Sequence, residues 1–176
     1  MPRDIIKAFK TISHQWLSDL KGYDETRLYH KPSNSEWSLA ELYDHIIKVA
    51  RTYQVPNFYK CIHKHNESGK SKNIKGYLVF NLNIIPYRKI KISSFPKELQ
   101  NSFAPEIQKQ DELITNFEGF IDDIITVGDL LKTANVSLKH NHPFFGMINS
   151  REWFSLVEIH MGHHNRQKLS IEKLKL

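Results

Sequence analysis

The stretch that decides the fold lies near the end of the chain and reads Glu158-Ile159-His160-Met161-Gly162-His163-His164-Asn165-Arg166-Gln167. It falls within a predicted helix, where residues four apart share one face, so His160 and His164 can bind one metal ion together. A further histidine, His45, lies far upstream on another predicted helix. Histidines supplied by two different helices are typical of a metal site inside a helical bundle.

A helical wheel places this histidine pair within the apolar stripe of its helix. With His160 at zero, Trp153 falls at about 20°, His164 at about 40° and Gln167 at about −20°. His163 falls at about −60°, roughly 100° from His164, and is the less suitable partner. Because unpaired polar groups are costly in an apolar stripe, we expect either hydrogen-bonded core histidines or a divalent ion bound to their ring nitrogens.

Apolar side chains repeat at helical spacing in four segments, which predicts an all-α protein. Ser38 and Glu41 have the pattern of a capping box at the start of the second helix, and Asn149 and Glu152 repeat it in the fourth. Pro56 would kink or end the second helix unless its last turns re-form after the proline. Three of the predicted helices cover about residues 3–21, 105–131 and 149–173, and the second helix starts at residue 39 and runs towards residue 56. Pro105 is a favourable first-turn residue for the third helix.

The connections between these helices differ in character. Residues 22–37 have the composition of a polar connection, and residues 66–104 that of a long irregular excursion. Within the excursion, Tyr77-Leu78-Val79-Phe80 and Ile84-Ile85 resemble short strands, but the prolines and polar spacers favour irregular chain with a short helical piece. A loop with His140, His142, Pro143 and Gly146 precedes the fourth helix. We therefore predict one domain over residues 1–176, a four-helix bundle with a long excursion between helices two and three.

The length and composition of the chain restrict its class. A chain of 176 residues supports one good core, and it contains no run of roughly 18 apolar residues that could span a bilayer. The start, Met1-Pro2-Arg3-Asp4, lacks the apolar core of a signal peptide, so we expect a cytoplasmic protein. The single cysteine, Cys61, excludes an internal disulfide and is read as a small apolar residue rather than a redox or nucleophilic one.

The net charge of +6 makes nucleic acid a partner to consider. The lysines are scattered, however, and their densest cluster lies in a stretch rich in glycine, serine and asparagine. No recognition-helix or aromatic-basic pattern accompanies that cluster. A solvated basic surface is the favoured interpretation, and nucleic acid is not the expected partner.

Spacing alone leaves the third metal ligand open. His45 lies at the edge of the apolar stripe of the second helix and can turn towards the interior. His142, on the loop beside the fourth helix, and His14, on the first helix, are alternatives. Asp44 is interpreted as a surface partner of Lys48, four residues on, rather than as a ligand.

Several motifs occur together in an order that resembles one known family. They are Trp37-Ser38-Leu39-Ala40-Glu41-Leu42-Tyr43-Asp44-His45-Ile46, His142-Pro143-Phe144-Phe145-Gly146, Glu152-Trp153 and His160-Met161-Gly162-His163-His164-Asn165-Arg166-Gln167. With them the chain resembles the DinB-like (damage-inducible) superfamily, which includes bacillithiol S-transferase-like proteins. The resemblance implies a four-helix bundle with a histidine triad for nickel, zinc, iron or manganese. Carried over to this chain, the ligands would be His45, His160 and His164, with Gln167 and Trp37 as supporting and packing residues.

The resemblance also implies candidate functions. Some relatives are thiol-dependent S-transferases, and homodimers are frequent among them. A three-histidine site with open positions can lower the pKa of a bound thiol or water, so we expect an enzyme that joins a low-molecular-weight thiol to a small electrophile, or a hydrolase. Tyr43, His142 and Arg166 are pocket candidates, although packing or surface roles are simpler for each. The alternative is a non-catalytic metal-binding or stress-response protein in which the ion is structural or sensory.

Overall fold

The computed structural model describes residues 3–63, 70–84 and 96–174, and within these ranges the chain is mostly helical. The elements are α1 (Ile5–Gly22), α2 (Glu25–Tyr29), α3 (Leu39–Val49), α4 (Val55–His63), α5 (Ile74–Phe80), α6 (Lys97–Phe103), α7 (Gln110–Asp129), β1 (Lys139–His142), β2 (Gly146–Asn149) and α8 (Ser150–Glu172). The all-α prediction is confirmed at the level of the main elements. Among these helices, none combines the length and the apolar character needed to cross a membrane.

Helices α1, α3, α7 and α8 pack around the core. Helix α1 packs against α7 and α8, and α3 packs against the same two helices. The Phe9 ring of α1 meets Phe120 of α7 and Phe154 of α8 edge to face, with centroids 5.8 and 6.2 Å apart. Buried aromatic rings each remove a large apolar area from water, and their contacts hold neighbouring helices in register. Helices α3 and α8 also contact each other, and these are the two that carry the histidines.

Both predicted capping boxes are present at the starts of these two helices. The Ser38 Oγ accepts a hydrogen bond from the Glu41 backbone N–H at 3.2 Å, and Glu41 accepts one from the Ser38 N–H at 2.8 Å. Asn149 and Glu152 make the same reciprocal pair at 3.1 and 2.9 Å. These bonds satisfy backbone N–H groups that have no partner inside the helix, so they define where α3 and α8 begin.

We expect Asn149→Ala to lower the free energy of unfolding by about 1 kcal/mol, because the first turn of α8 loses its side-chain acceptor. Urea denaturation followed by circular dichroism measures the change. Asn141→Ala, which removes an exposed asparagine of β1, is the matched control and should change stability by less than about 0.5 kcal/mol. Equal losses in the two variants would contradict a capping role.

The second predicted helix continues through Pro56 by means of a wider turn. Residues Ala50–Gln54 form a π-helical turn, in which the Val55 N–H bonds to the Ala50 carbonyl, and α4 follows directly. A proline has no N–H and its ring collides with the carbonyl four residues earlier in a regular α-helix. The wider turn gives the ring room, so the helix re-forms after the proline instead of ending there.

The prediction that the third helix starts at Pro105 is wrong, because α7 begins only at Gln110. The intervening residues are held in non-helical form by a carboxylate on α3. Asp44 accepts hydrogen bonds from the Glu106 backbone N–H at 2.6 Å and from the Gln108 side chain at 2.5 Å. A helix starting at Pro105 would be incompatible with this chain path.

Two of the predicted connections contain helices, and α5 is a short helical piece of the kind that was favoured for the excursion. The polar connection 22–37 contains the short helix α2, which Asp24 caps, and the strand-like residues 77–80 belong to the helix α5. Asn73 caps α5, and its cap together with the burial of Val79 outweighs the strand preference of the sequence. Of the second strand-like piece, Ile84 lies just after α5, and residue 85 lies outside the described residues.

The loop before α8 contains an antiparallel hairpin, formed by β1 and β2, that the sequence did not indicate. Gly146 makes its turn possible, because its φ of 76° is rarely adopted by residues with a side chain. A Cβ at this position would also lie 3.0 Å from the backbone nitrogen of Asn73. The hairpin thus packs closely against the start of α5, and β2 leads directly into α8.

Candidate metal centre

The three predicted ligands come together between α3 and α8. One nitrogen from each of His45, His160 and His164 lies within 4.8 Å of the other two. The ring centroids are 5.1 Å apart for His45–His160, 5.0 Å for His45–His164 and 4.6 Å for His160–His164. Nitrogens that share a tetrahedral ion at about 2.0–2.1 Å lie roughly 3.3 Å apart, a geometry within reach of small ring rotations from these positions. The three histidines could therefore hold a metal ion.

The three histidines differ in their exposure to solvent. His45 is only 4% exposed, whereas His160 and His164 are partly exposed. Trp37 lies beside the cluster, with its ring 4.6 Å from that of His45 and 6.3 Å from that of His164. This half-buried indole forms an apolar wall that limits the access of water to the two rings.

Hydrogen bonds fix which nitrogen of two rings faces the centre. The His45 Nδ1 lies 2.9 Å from the Phe103 carbonyl oxygen, and the His164 Nδ1 lies 3.1 Å from the Gln167 side-chain oxygen. Oxygens of these types only accept, so Nδ1 donates in both rings and Nε2 keeps its lone pair for an ion. Metal-bound histidines are usually held in this way by an acceptor on the second nitrogen. Gln167 thus lies where a supporting residue was predicted.

Burial keeps the cluster uncharged. It lowers the pKa of His45, it lowers the pKa of His160 well below the usual range, and it lowers that of His164 to about 3. The neighbouring imidazoles act in the same direction, because protonation of one ring disfavours a second charge nearby. The neutral imidazole is the form that binds metal ions, so the three rings could hold an ion near neutral pH without first losing protons.

The other predicted candidates lie elsewhere. His142 is buried in the hairpin, where its ring stacks on Phe145 at 4.5 Å and its Nδ1 accepts from the Phe144 N–H. Tyr43 lies in the core and donates its hydroxyl to the Trp16 carbonyl at 2.8 Å. The side chains of Arg166 on α8 and His14 on α1 are exposed. His163 lies beside the cluster, with its ring 5.1 Å from that of His164.

The only cysteine is not suited to act as a nucleophile. Cys61 is buried, and its thiol donates to the Leu138 carbonyl at 3.1 Å. Burial raises the pKa of this thiol to about 11, so it stays protonated near neutral pH. This agrees with its interpretation as a small apolar residue.

Two features beside the cluster were missed by sequence reasoning. Asp44 was predicted on the surface but is only 1% exposed, although it does pair with Lys48, at 3.1 Å, as predicted. The Phe103 carbonyl that orients His45 could not be predicted, because a backbone acceptor carries no residue signature.

The i, i+4 spacing of Lys168 and Glu172 could have indicated the ion pair that they form at 2.7 Å. Lys168 also meets Asp19 of α1 at 2.5 Å and so ties α8 to α1.

Comparison with known proteins gives one informative similarity. The chain is 28% identical over 162 residues to the uncharacterized protein YuaE of Bacillus subtilis (strain 168), a match that covers 87% of this chain and 85% of YuaE. No protein-family model and no solved structure matches the chain. The similarity extends over nearly the whole chain, but it assigns no activity.

Proposed function

We propose that the chain is a DinB-like, metal-dependent enzyme whose ion is bound by His45, His160 and His164. The observation that carries this proposal is the convergence of three neutral imidazoles from two helices, with one nitrogen from each within 4.8 Å of the others. Three protein ligands leave coordination positions for water or substrate, as in catalytic rather than purely structural sites. In this proposal α1, α3, α7 and α8 form the four-helix bundle of that superfamily, as a single domain over residues 1–176 that assembles as a homodimer.

The donor set favours some metals over others. Three imidazole nitrogens suit nickel, zinc or iron better than manganese, which prefers oxygen ligands. When bound, such an ion lowers the pKa of a coordinated thiol or water towards neutrality. The Phe103 carbonyl and Gln167 orient two of the imidazoles, and Trp37 restricts water on one side. The proposed reaction is transfer of a low-molecular-weight thiol to a small electrophile, with hydrolysis of a small molecule as the related possibility.

A second candidate function is supported by the position of the cluster. His45 belongs to α3 and the other two histidines to α8, so a bound ion would join two of the helices that surround the core. Such an ion would stabilise the fold, and the protein could report metal availability without catalysing a reaction. The partial exposure of His160 and His164 favours the enzyme, because a purely structural site is normally closed by a fourth protein ligand.

Turnover measurements distinguish the two functions. The nickel-, zinc- or iron-loaded protein is assayed against a panel of low-molecular-weight thiols and electrophiles, beside His160→Ala/His164→Ala treated in the same way. We expect turnover by the wild-type protein and loss of at least about 100-fold in the variant, because the ion has lost two of its ligands. Identical turnover by both proteins would refute the enzyme. A large fall in melting temperature on chelation, with no turnover by the wild-type protein, would support the structural or sensory function instead.

A further inference from the structure

We infer that Asp44 is a positioning residue for the proposed metal centre and that it acts through the backbone carbonyl of Phe103. This inference rests on the proposed function, because it concerns the ion that His45 would bind. Asp44 immediately precedes His45 on α3, yet its carboxylate bonds to another part of the chain. That part is residues 103–108, here called the strap, which joins the end of α6 to the residue before α7.

The strap is held against α3 by two charged side chains. The buried Asp44 carboxylate accepts from the Glu106 N–H at 2.6 Å and from the Gln108 side chain at 2.5 Å. One helical turn later, the Lys48 ammonium donates to the Ala104 carbonyl at 3.1 Å. The same ammonium lies 3.1 Å from the Asp44 carboxylate and 3.3 Å from that of Glu106. Two residues of the helix that carries His45 thus fix the path of the strap.

The first residue of the strap supplies the acceptor for His45. Phe103 is the last residue of α6, so its carbonyl has no donor within that helix. The oxygen lies 2.9 Å from the His45 Nδ1, and the Phe103 side chain is buried against Tyr53, with ring centroids 5.7 Å apart. The acceptor that selects the His45 tautomer is therefore placed by the strap, and the strap is placed by Asp44 and Lys48.

A purely structural role for Asp44 makes a different prediction from a positioning role. A buried carboxylate that only joined two segments would affect the free energy of unfolding and leave the metal affinity of the folded protein unchanged. A positioning residue also changes the metal affinity, since His45 loses the acceptor that orients its ring. Loss of such an acceptor typically weakens metal binding about 10- to 100-fold.

The test compares metal affinity in folded variants. Asp44→Asn keeps one acceptor oxygen, Asp44→Ala removes both, and Lys48→Met removes the bond to the Ala104 carbonyl while keeping the length of the side chain. Asp123→Asn is the matched control, since it also neutralises one carboxylate, an exposed one paired with Arg51 at 2.8 Å. The affinity for Zn²⁺ and Co²⁺ is measured by competition with a chromophoric chelator, after circular dichroism has shown that each variant is folded.

We expect Zn²⁺ binding to weaken about tenfold in Asp44→Asn and Lys48→Met and up to about 100-fold in Asp44→Ala, and by less than about twofold in Asp123→Asn. In the cobalt-loaded wild-type protein, the His45 Nδ1 proton should give a shifted, slowly exchanging NMR signal. That signal should exchange faster in the Asp44 variants. If Asp44→Ala does not fold, the Zn²⁺ affinities of Asp44→Asn and Lys48→Met are compared with those of the wild-type protein and Asp123→Asn.

Two results would overturn the inference in different ways. Wild-type affinity and an unchanged His45 proton signal in the folded Asp44 and Lys48 variants would remove the positioning role and leave the proposed metal centre intact. A wild-type protein that binds neither Zn²⁺ nor Co²⁺ would refute the metal centre itself. The measurement on the wild-type protein therefore separates failure of the inference from failure of the proposed function.

Discussion

Replacing both histidines of α8, in His160→Ala/His164→Ala, should lower the affinity for Zn²⁺ or Ni²⁺ by roughly 10⁴-fold. The free energy of zinc binding to a structural site is about 10–16 kcal/mol, which is about 3 kcal/mol for each protein ligand. Because every 1.4 kcal/mol changes the affinity about tenfold, the loss of two ligands corresponds to roughly 10⁴-fold. Isothermal titration calorimetry, or competition with a chelator, measures the loss. His45→Ala should have a smaller effect than the double variant, because the i, i+4 pair would remain.

The control for this experiment removes two histidines that lie outside the cluster. His14 and His63 are both exposed, and His63 stacks on Tyr59 rather than on a member of the cluster. The variant His14→Ala/His63→Ala should bind metal with wild-type affinity. At a metal concentration 100 times the dissociation constant, the wild-type protein and this control should each gain about 2.7 kcal/mol in unfolding free energy. A similar gain in His160→Ala/His164→Ala would show that the metal binds elsewhere.

The metal-free protein should lose about 2–4 kcal/mol of unfolding free energy between pH 7 and pH 5. Burial lowers the pKa of His142 and of His164 to about 3, whereas a histidine in the unfolded chain titrates at about 6.5. Below that pH the unfolded chain takes up protons that the folded protein does not bind. The stabilisation is therefore complete above about pH 6.5 and is lost as the pH falls towards 3.

Urea denaturation at several pH values, with a chelator present, measures this dependence. His142→Asn separates the two sources of the effect, because its amide oxygen can still accept from the Phe144 N–H while the titrating ring is gone. This variant should retain most of the pH dependence, because burial also lowers the pKa values of the three histidines of the cluster. Equal slopes in the variant and the wild-type protein would show that His142 does not contribute, and a flat profile in both would contradict the low pKa values.

Local signals were sufficient for much of the site. The capping boxes at Ser38 and Asn149 depend only on residues three positions apart, so the starts of α3 and α8 could be predicted directly. The helical repeat likewise put His160 and His164 on one face. The contact of these two residues with His45 could not be predicted from local spacing. Spacing alone left His14 and His142 as alternatives, and the family resemblance favoured His45.

Signals that were equally local failed where a distant part of the chain supplied the stronger interaction. Pro105 is a good first helical residue, but Asp44 holds the chain after it in the strap. The strand-like residues 77–80 became a helix because Asn73 caps it and Val79 packs into the core. The bond between Asp44 and the Glu106 N–H joins residues 62 positions apart and outweighs the local preference at Pro105. The start of α5 instead depends on a local cap, in which the Asn73 side chain accepts from the Gly76 N–H, and the burial of Val79 adds the tertiary contribution.

By itself, the sequence determined a mostly helical protein, the starts of its two histidine-bearing helices, and an imidazole pair facing one direction. These properties depend on hydrogen bonds and side-chain directions within a few residues of each other. Only the tertiary structure decided that His45 completes the cluster, that the Phe103 carbonyl selects its tautomer, and that Asp44 is buried. Those features depend on how α3, α8 and the strap pack together, because the burial of a group and its hydrogen-bond partner are set by distant parts of the chain.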